Sequence, residues 1–504
     1  MLLLGIDLGT SSVKVSVVHA QTKQCVASAV YPETEADIIS LHTGWAEQSP
    51  EQWWEQVIQA ILKCNAAGTY DPKDIRAIGI AYQMHGLVLV DKDQEVVRNS
   101  IIWCDSRAVE IGDAAFSSIG GKRCLSHLLN SPGNFTAAKL AWVKENEPQL
   151  YERTDKVLLP GDFIGMKLTG ETTTTISALS EGIFWDFREN RLSADVLGYF
   201  GFDSSLFPNI QPVFSAHGLL LENIALRLSL KPGIPVTYKA GDQLNNAFGL
   251  NVSQPGEVAA TAGTSGVIYG ISDQLEYDPQ SRINSFAHVN HNENDTRIGI
   301  LLCINGAGIF NRWIRNLAGA QQSYDSLNAA AARIEAGARG LRLIPFGNGA
   351  ERMLNNQQIG AHFHNLDFNV HTAAHIFRGV QEGIACAFRY GLDIMRQNGL
   401  EPQVIRAGRS NMFLSDVFTS AFVNVTGVPV ELYPGDGSVG AALGAGVGSG
   451  LYSDAVSAFG ADRPVQYTAP GKQEEYEEIY QQWKALLQMH LEKTDAPSPL
   501  INTH

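Results

Sequence analysis

Several features that would set a chain apart from ordinary globular enzymes are missing here. No run of ~18 uninterrupted apolar residues occurs, so no membrane-spanning helix is expected. The N-terminus enters a strand without the basic segment and apolar core of a secretory leader. Lys and Arg number 37 against 52 Asp and Glu, a net charge of −15. Nucleic acids and anionic membranes attract the opposite sign, so neither is expected as a partner. The cysteines, Cys25, Cys64, Cys104, Cys124, Cys303 and Cys386, form no CxxC pair. Neither a disulfide framework nor a zinc site follows from them, and the cytoplasm is the simplest location. The phosphate-binding pattern GxxxxGK[ST] is also absent, because "GGKR" has Arg123 where a hydroxyl is needed.

What is present begins with length. A chain of 504 residues, 44% hydrophobic and 18% charged, is an ordinary globular composition but exceeds what one core organises, so at least two domains are expected. Residues 2–18 read "LLLGIDLGTSSVKVSVV", a strand, a Gly-Thr-Ser turn and a second strand. Residues 258–271, "VAATAGTSGVIYGI", repeat the arrangement with Thr261 where the first copy has Asp7. The turn therefore does not need the acid. A third strand, "CVASAVYP", a helix opened by Ser49 and Pro50, and the strand "IRAIGIAY" follow in the first half. The second half offers the apolar run "RIGILLCIN", a long helix at "TAAHIFRGVQEGIACAFRYGLDIMRQNG" and the strand "PQVIRAG". This order predicts an α/β protein built by internal duplication, with a ligand cleft between the halves. The joint falls in "YKAGDQLNNAFGLNVSQPGEV", giving an N-terminal domain over 1–246, a C-terminal domain over 247–486 and a tail over 487–504. "EEYEEIYQQW", near the end of the second domain, reads as a solvated helix face.

Two small-residue turns, Gly9-Thr10-Ser11-Ser12 and Gly263-Thr264-Ser265-Gly266, offer backbone N–H groups and hydroxyls, a means of cradling phosphates without positive side chains. In register at the starts of both halves, they favour a nucleotide clamped from two sides. Asp7 beside the first turn is placed to hold Mg²⁺ through water on those phosphates. Asp242 in "AGDQLNNAFG" could orient and deprotonate an attacking hydroxyl, as phosphoryl transfer requires. "YQMHG" and "IIWCDSR" place Met84, His85, Trp103, Asp105 and Arg107 at strand ends, where α/β domains line substrate pockets. His371 and His375 are spaced for a shared metal with "HFH" nearby, but without a glutamate in HExxH style they read as packing or solvent residues.

In order along the chain, "HTGWAEQSPEQWW", "YQMHG", "WCDSR", "NSPGNFTAAKLAWVKENEP", "DKVLLPGDFI", "KLTGE", "GDQLNNAFG" and "AGTSGV" resemble the FGGY carbohydrate kinases, most closely their xylulokinase branch. The resemblance covers nearly the whole chain. It implies two actin-like, ribonuclease H-like ATPase domains around a central cleft. It further implies ATP and Mg²⁺ as cofactors and a small-molecule ketose, D-xylulose first, as the acceptor; the alternatives are a kinase for another ketose or polyol (ribulose, an L-ketohexulose, glycerol) or a non-catalytic actin-like sugar-binding regulator. Asp242 would be the general base and Asp7 the acid beside the metal. Met84, His85, Trp103 and Gln243 would bound the sugar with Asp242, since glycerol kinases carry Arg-Glu where this chain has Met-His. Thr10, Ser11, Lys14, Gly263, Thr264, Gly308, Gly408 and Asn411 would form the nucleotide side. A homodimer is usual for such relatives. The chain departs from the pattern at Gln243, where many xylulokinases have Asn, and at Ala407-Gly408-Arg409, where the family has three glycines. It also has Thr where bacterial relatives often have Asp in "TTTTISALSEG".

Overall fold

In the computed structural model, residues 1–318, 322–460 and 463–495 are described. The first sheet is built from β1 (Leu2–Leu8), β2 (Val13–His19), β3 (Cys25–Tyr31), β4 (Ile75–Tyr82) and β5 (Val236–Gly241) in the order β5-β4-β1-β2-β3. The second holds β6 (Glu257–Ala262), β7 (Gly266–Ser272), β8 (Asn284–Ala287), β9 (Ile298–Ile304), β10 (Val404–Gly408), β11 (Val430–Tyr433) and β12 (Gln466–Thr468), in the order β8-β9-β7-β6-β10-β11-β12. Within it, β11-β10-β6-β7-β9 repeats the first sheet, including the pattern of parallel and antiparallel pairs. The expected duplication is thus a duplication of topology.

Helix α1 (Pro50–Ala66) starts where Ser49 accepts from the Gln52 N–H, and it buries Trp53, Trp54, Val57, Ile58 and Ile61. In the second half the corresponding position is taken by α4 (Ala373–Gln397), whose buried face includes Phe377, Val380, Ile384, Phe388 and Leu392. Two further helices join the halves. Helix α2 (Asp242–Gly249) follows β5, and α5 (Gly437–Gly448) follows β11 in the equivalent place. Helix α5 lies against β1, β4 and β5 of the other half. It does so at backbone distance, since a Cβ on Gly5 would stand 1.8 Å from the Ser438 carbonyl oxygen and one on Gly79 2.0 Å from that of Ala441. The small residues of "GSVGAALGAGVG" are what allow this approach. Asn245 of α2 donates to the Gly437 carbonyl at 2.8 Å, tying the two helices together.

Two boundaries differ from the sequence reading. The division at 246/247 cuts α2, and α5 shows that a piece of the second half completes the first. The expected tail begins too early, because α6 (Gln473–Asp495) runs through Asp495 with Leu487 fully buried. Its acidic residues face outward while Tyr476, Tyr480 and Trp483 pack inward, an alternation that the dense charge of "EEYEEIYQQW" hides. The remainder of the tail, 496–504, lies outside the described residues.

Candidate active site

Three carboxylates converge at the base of the cleft. Asp7 is near the end of β1, in register with Lys14 on β2. Asp242 is the first residue of α2. Asp436 caps α5, accepting from the Ser438 N–H at 3.0 Å and its hydroxyl at 2.8 Å. The cap approaches Asp7 so closely that a Cβ on Gly437 would lie 2.3 Å from Asp7 Oδ2. Lys14, expected at the nucleotide, pairs with Asp436 at 2.5 Å. Burial, then the charge of Asp436, pushes Asp7 up from 3.8 to about 6, with Lys14 opposing. Burial, then the charge of Asp7, pushes Asp242 up to about 7. Carboxylates that raise one another with a single lysine among them form a site that gains from a cation. Among the described residues no group of three His, Cys, Asp or Glu side chains could hold a metal ion. The raised Asp7 carboxyl fits a Mg²⁺ that phosphates would carry, met through water.

On the second-half side, the Gly263-Thr264 turn is backed by the loop that begins helix α3 (Gly308–Ala318). The Gly308 N–H donates to the Gly263 carbonyl at 2.9 Å and the Ile309 N–H to that of Thr264 at 3.0 Å. A Cβ on Gly308 would fall 2.2 Å from the Gly263 oxygen, so only glycine fits. A cavity of about 370 Å³ opens here, with Gly263, Thr264, Gly308 and Asn411 in its wall. Gly408 lines a smaller neighbouring cavity of about 90 Å³, together with Thr261, Asp436 and Gly437. The two share Ala262. Thr261, the counterpart of Asp7, thus faces this second cavity. On the first turn Ser11 is exposed, whereas the Thr10 hydroxyl is already engaged. It donates to Gln83 Oε1 at 3.1 Å and accepts from Trp103 Nε1 at 2.9 Å. Thr10 therefore orients Trp103, a half-exposed ring, and does not present a free hydroxyl to phosphate.

On the first-half side, Met84 is buried against Gly241, immediately before Asp242. His85 follows with φ 62°, and Lys139 Nζ holds its carbonyl at 2.9 Å. Its Nδ1 stands 3.0 Å from the Glu181 carbonyl oxygen, which can only accept, so Nδ1 carries the proton and Nε2 is left as an acceptor. Burial, then the charge of Lys139, depresses this imidazole to about 3, so it stays neutral. The ring is walled by Phe135 at 4.8 Å and Phe286 at 5.5 Å. Gln243 is half-buried beside Asp242.

Asp105 and Arg107 are not pocket residues. Arg107 engages Asp105 through Nε and Nη2 and also reaches Glu47 at 2.7 Å, while it stacks on Trp45. Once the two neutralise each other, neither has a free side for a ligand. His371 and His375 serve their own loop, their Nδ1 atoms accepting from the Asp367 and Thr372 N–H groups. His362 and His364 of the "HFH" segment meet His490, with His364 Nε2 at 3.0 Å from His490 Nε2.

Sequence reasoning missed Asp436 and Glu181. The first had a signal, since "PGDGSVG" repeats after β11 the Gly-Asp that follows β5. Glu181 had none. It is buried and accepts from the Tyr82 hydroxyl at 2.8 Å, and burial raises its carboxyl well above the ordinary range.

The chain is similar to known proteins over most of its length. A xylulose kinase of Bacillus subtilis is 29% identical over 464 residues, covering 89% of this chain and 88% of its own. One from Escherichia coli is 30% identical over 446 residues, covering 88% of each. The crystal structure of xylulose kinase from Rhodospirillum rubrum matches with a TM-score of 0.87 at 26% identity, over 97% of this chain and 99% of that one. Residues 2–249 match the N-terminal domain and residues 258–449 the C-terminal domain of the FGGY family of carbohydrate kinases, and to that family this chain belongs.

Proposed function

We propose that the protein transfers the γ-phosphoryl group of ATP to the terminal hydroxyl of a ketopentose, D-xylulose, forming D-xylulose 5-phosphate in the cytoplasm. One observation carries the reading. Asp242 follows Gly241, on which Met84 packs next to His85, and feels the charge of Asp7, which touches Gly437 in the wall of the cavity adjoining the Gly263-Thr264 turn. The xylulose kinases among the relatives favour xylulose as the acceptor.

His85 accepts a sugar hydroxyl through Nε2, and Met84 supplies an adaptable apolar wall. Asp242 accepts a hydrogen bond from the terminal hydroxyl and takes its proton as the phosphoryl group arrives. Because such transition states are loose, orienting that oxygen matters as much as early deprotonation. Mg²⁺ on the phosphates, beside Asp7, would offset the charge of the transferring group. Closure of the cleft excludes water, the competing acceptor.

A panel of D-xylulose, ribulose, L-ketohexuloses and glycerol in a coupled ADP-release assay tests the assignment. D-xylulose should give the highest kcat/KM. A preference for glycerol or another ketose by tenfold or more, on the order of 1.4 kcal/mol in the transition state, would replace the acceptor.

A further inference from the structure

The pair Glu351-Arg352 lies in the second half, where Arg352–Leu354 form a single helical turn. Glu351 is fully buried and accepts from the N–H groups of Asn305 at 3.0 Å and Gly306 at 2.9 Å. It thus fixes the loop that leads into Gly308 and backs the Gly263-Thr264 turn. Its neighbour serves the opposite side of the cleft. Arg352 Nη1 donates to Asn284 Oδ1 on β8. Asn284 and Phe286 are two apart on that strand and share a face, and Phe286 is the ring 5.5 Å from His85. The Arg352 charge is near enough to oppose protonation of His85, and Cys303 on β9 feels both Arg352 and Asp242.

Among the described residues no carboxylate pairs with Arg352, in contrast to Arg107, which has two. A guanidinium presents five N–H donors in a planar fork, and here an amide oxygen takes one of them. The residue is partly accessible, so the fork is not sealed away. An enclosed cation without an anionic partner is costly unless oxygens reach it.

We propose that Arg352 is a specificity-determining contact for the ketose, delivered by the second half and donating to sugar oxygens opposite His85. This rests on the sugar pocket assigned above. It makes the acceptor a bridge between the halves, held by His85 and Asp242 on one side and by Arg352 on the other. The neighbours of Arg352, namely Asn284, His85 and Cys303, place it on the sugar side and not with Lys14 and Asp436.

The test is steady-state kinetics of Arg352→Met and Arg352→Lys with D-xylulose and ATP, with ADP affinity by calorimetry and thermal unfolding on the same preparations. Arg352→Met should raise the ketose KM on the order of 10- to 100-fold, the loss expected for hydrogen bonds from a charged group. The KM for ATP and the ADP affinity should move by less than about twofold, since an interaction absent from the nucleotide complex cannot affect it. Arg352→Lys keeps the charge without the fork and should recover only part of the loss. A fall in kcat with the ketose KM unchanged would move Arg352 to the phosphoryl group and overturn the assignment. If Arg352→Met unfolds, the lysine variant decides: a raised ketose KM supports the contact and a wild-type KM refutes it. A wild-type protein that phosphorylates no ketose overturns the functional reading and this contact together. A working wild type indistinguishable from Arg352→Met overturns the contact alone.

Discussion

Asp242→Asn should make the protein inactive and, at neutral to alkaline pH, more stable. Enclosure at the start of α2 and the charge of Asp7 raise the Asp242 carboxyl from 3.8 to about 7. A group raised by folding favours the native state in its protonated form. That stability is complete below the unfolded value and is lost as pH climbs through the folded one. Each pKa unit is 1.36 kcal/mol, so full ionisation withdraws roughly 4 kcal/mol as an upper bound, and ~2–4 kcal/mol given the partial access of the side chain. Asparagine keeps the size and carries no charge. Scanning calorimetry without nucleotide or divalent cation should therefore show the variant gaining stability over wild type at pH 8 and little at pH 4. In a coupled assay kcat should fall by about 10²-fold or more, the usual cost of a lost general base. A variant that keeps a tenth of kcat, or whose thermal advantage is the same at both pH values, would refute the reasoning.

Other outcomes follow from the same geometry. Asp7→Ala should nearly abolish turnover at any Mg²⁺ concentration while sugar binding by calorimetry is retained; near-normal activity at limiting Mg²⁺ would remove Asp7 from the metal. Replacing His85 by Ala should lower kcat/KM for D-xylulose by roughly 1–3 kcal/mol, the cost of one buried hydrogen bond left unmade, and an unchanged ketose panel would place it outside the pocket. Glu181→Gln should be tolerated within a few-fold in kcat/KM, because an amide oxygen can accept from Tyr82 as the carboxyl does; a collapse of activity would show that Glu181 works as an anion. The kcat/KM for ketose should rise with pH through about 7 as Asp242 loses its proton; a flat profile between pH 5 and 8 would count against the base.

Much of this was legible in the residues. The strand, Gly-Thr-Ser turn and strand of "LLLGIDLGTSSVKVSVV", repeated in "VAATAGTSGVIYGI", marked the equivalent strands. Asp7 stood out because its duplicate is Thr261, a comparison that needs no structure. Thr10, Asp105 and Arg107 read as ligand groups and proved to be engaged within the protein. Sequence shows which polar groups exist and not which of them have found each other. Arg352 and Glu181 were invisible for the converse reason. Their significance lies in who is missing beside them, and that depends on strands brought together from opposite ends of the chain. The place of α5 was hidden too, since a Gly- and Ala-rich segment carries little periodicity and does not declare which sheet it will cover.

That helix has a consequence for how the molecule can be divided. Residues 437–448 cover β1, β4 and β5, so a fragment ending near residue 250 would leave one face of its sheet bare, lined by the glycines that fit only a helix backbone. Such a fragment should collect in aggregates when made alone and recover solubility when the remainder is supplied in trans. The duplicated halves are repeats by topology but a single unit by cohesion. The Asn245 to Gly437 bond that ties α2 to α5 stands one helical step from Asp242 and beside Asp436, so a change that loosens this junction also disturbs the charges next to it.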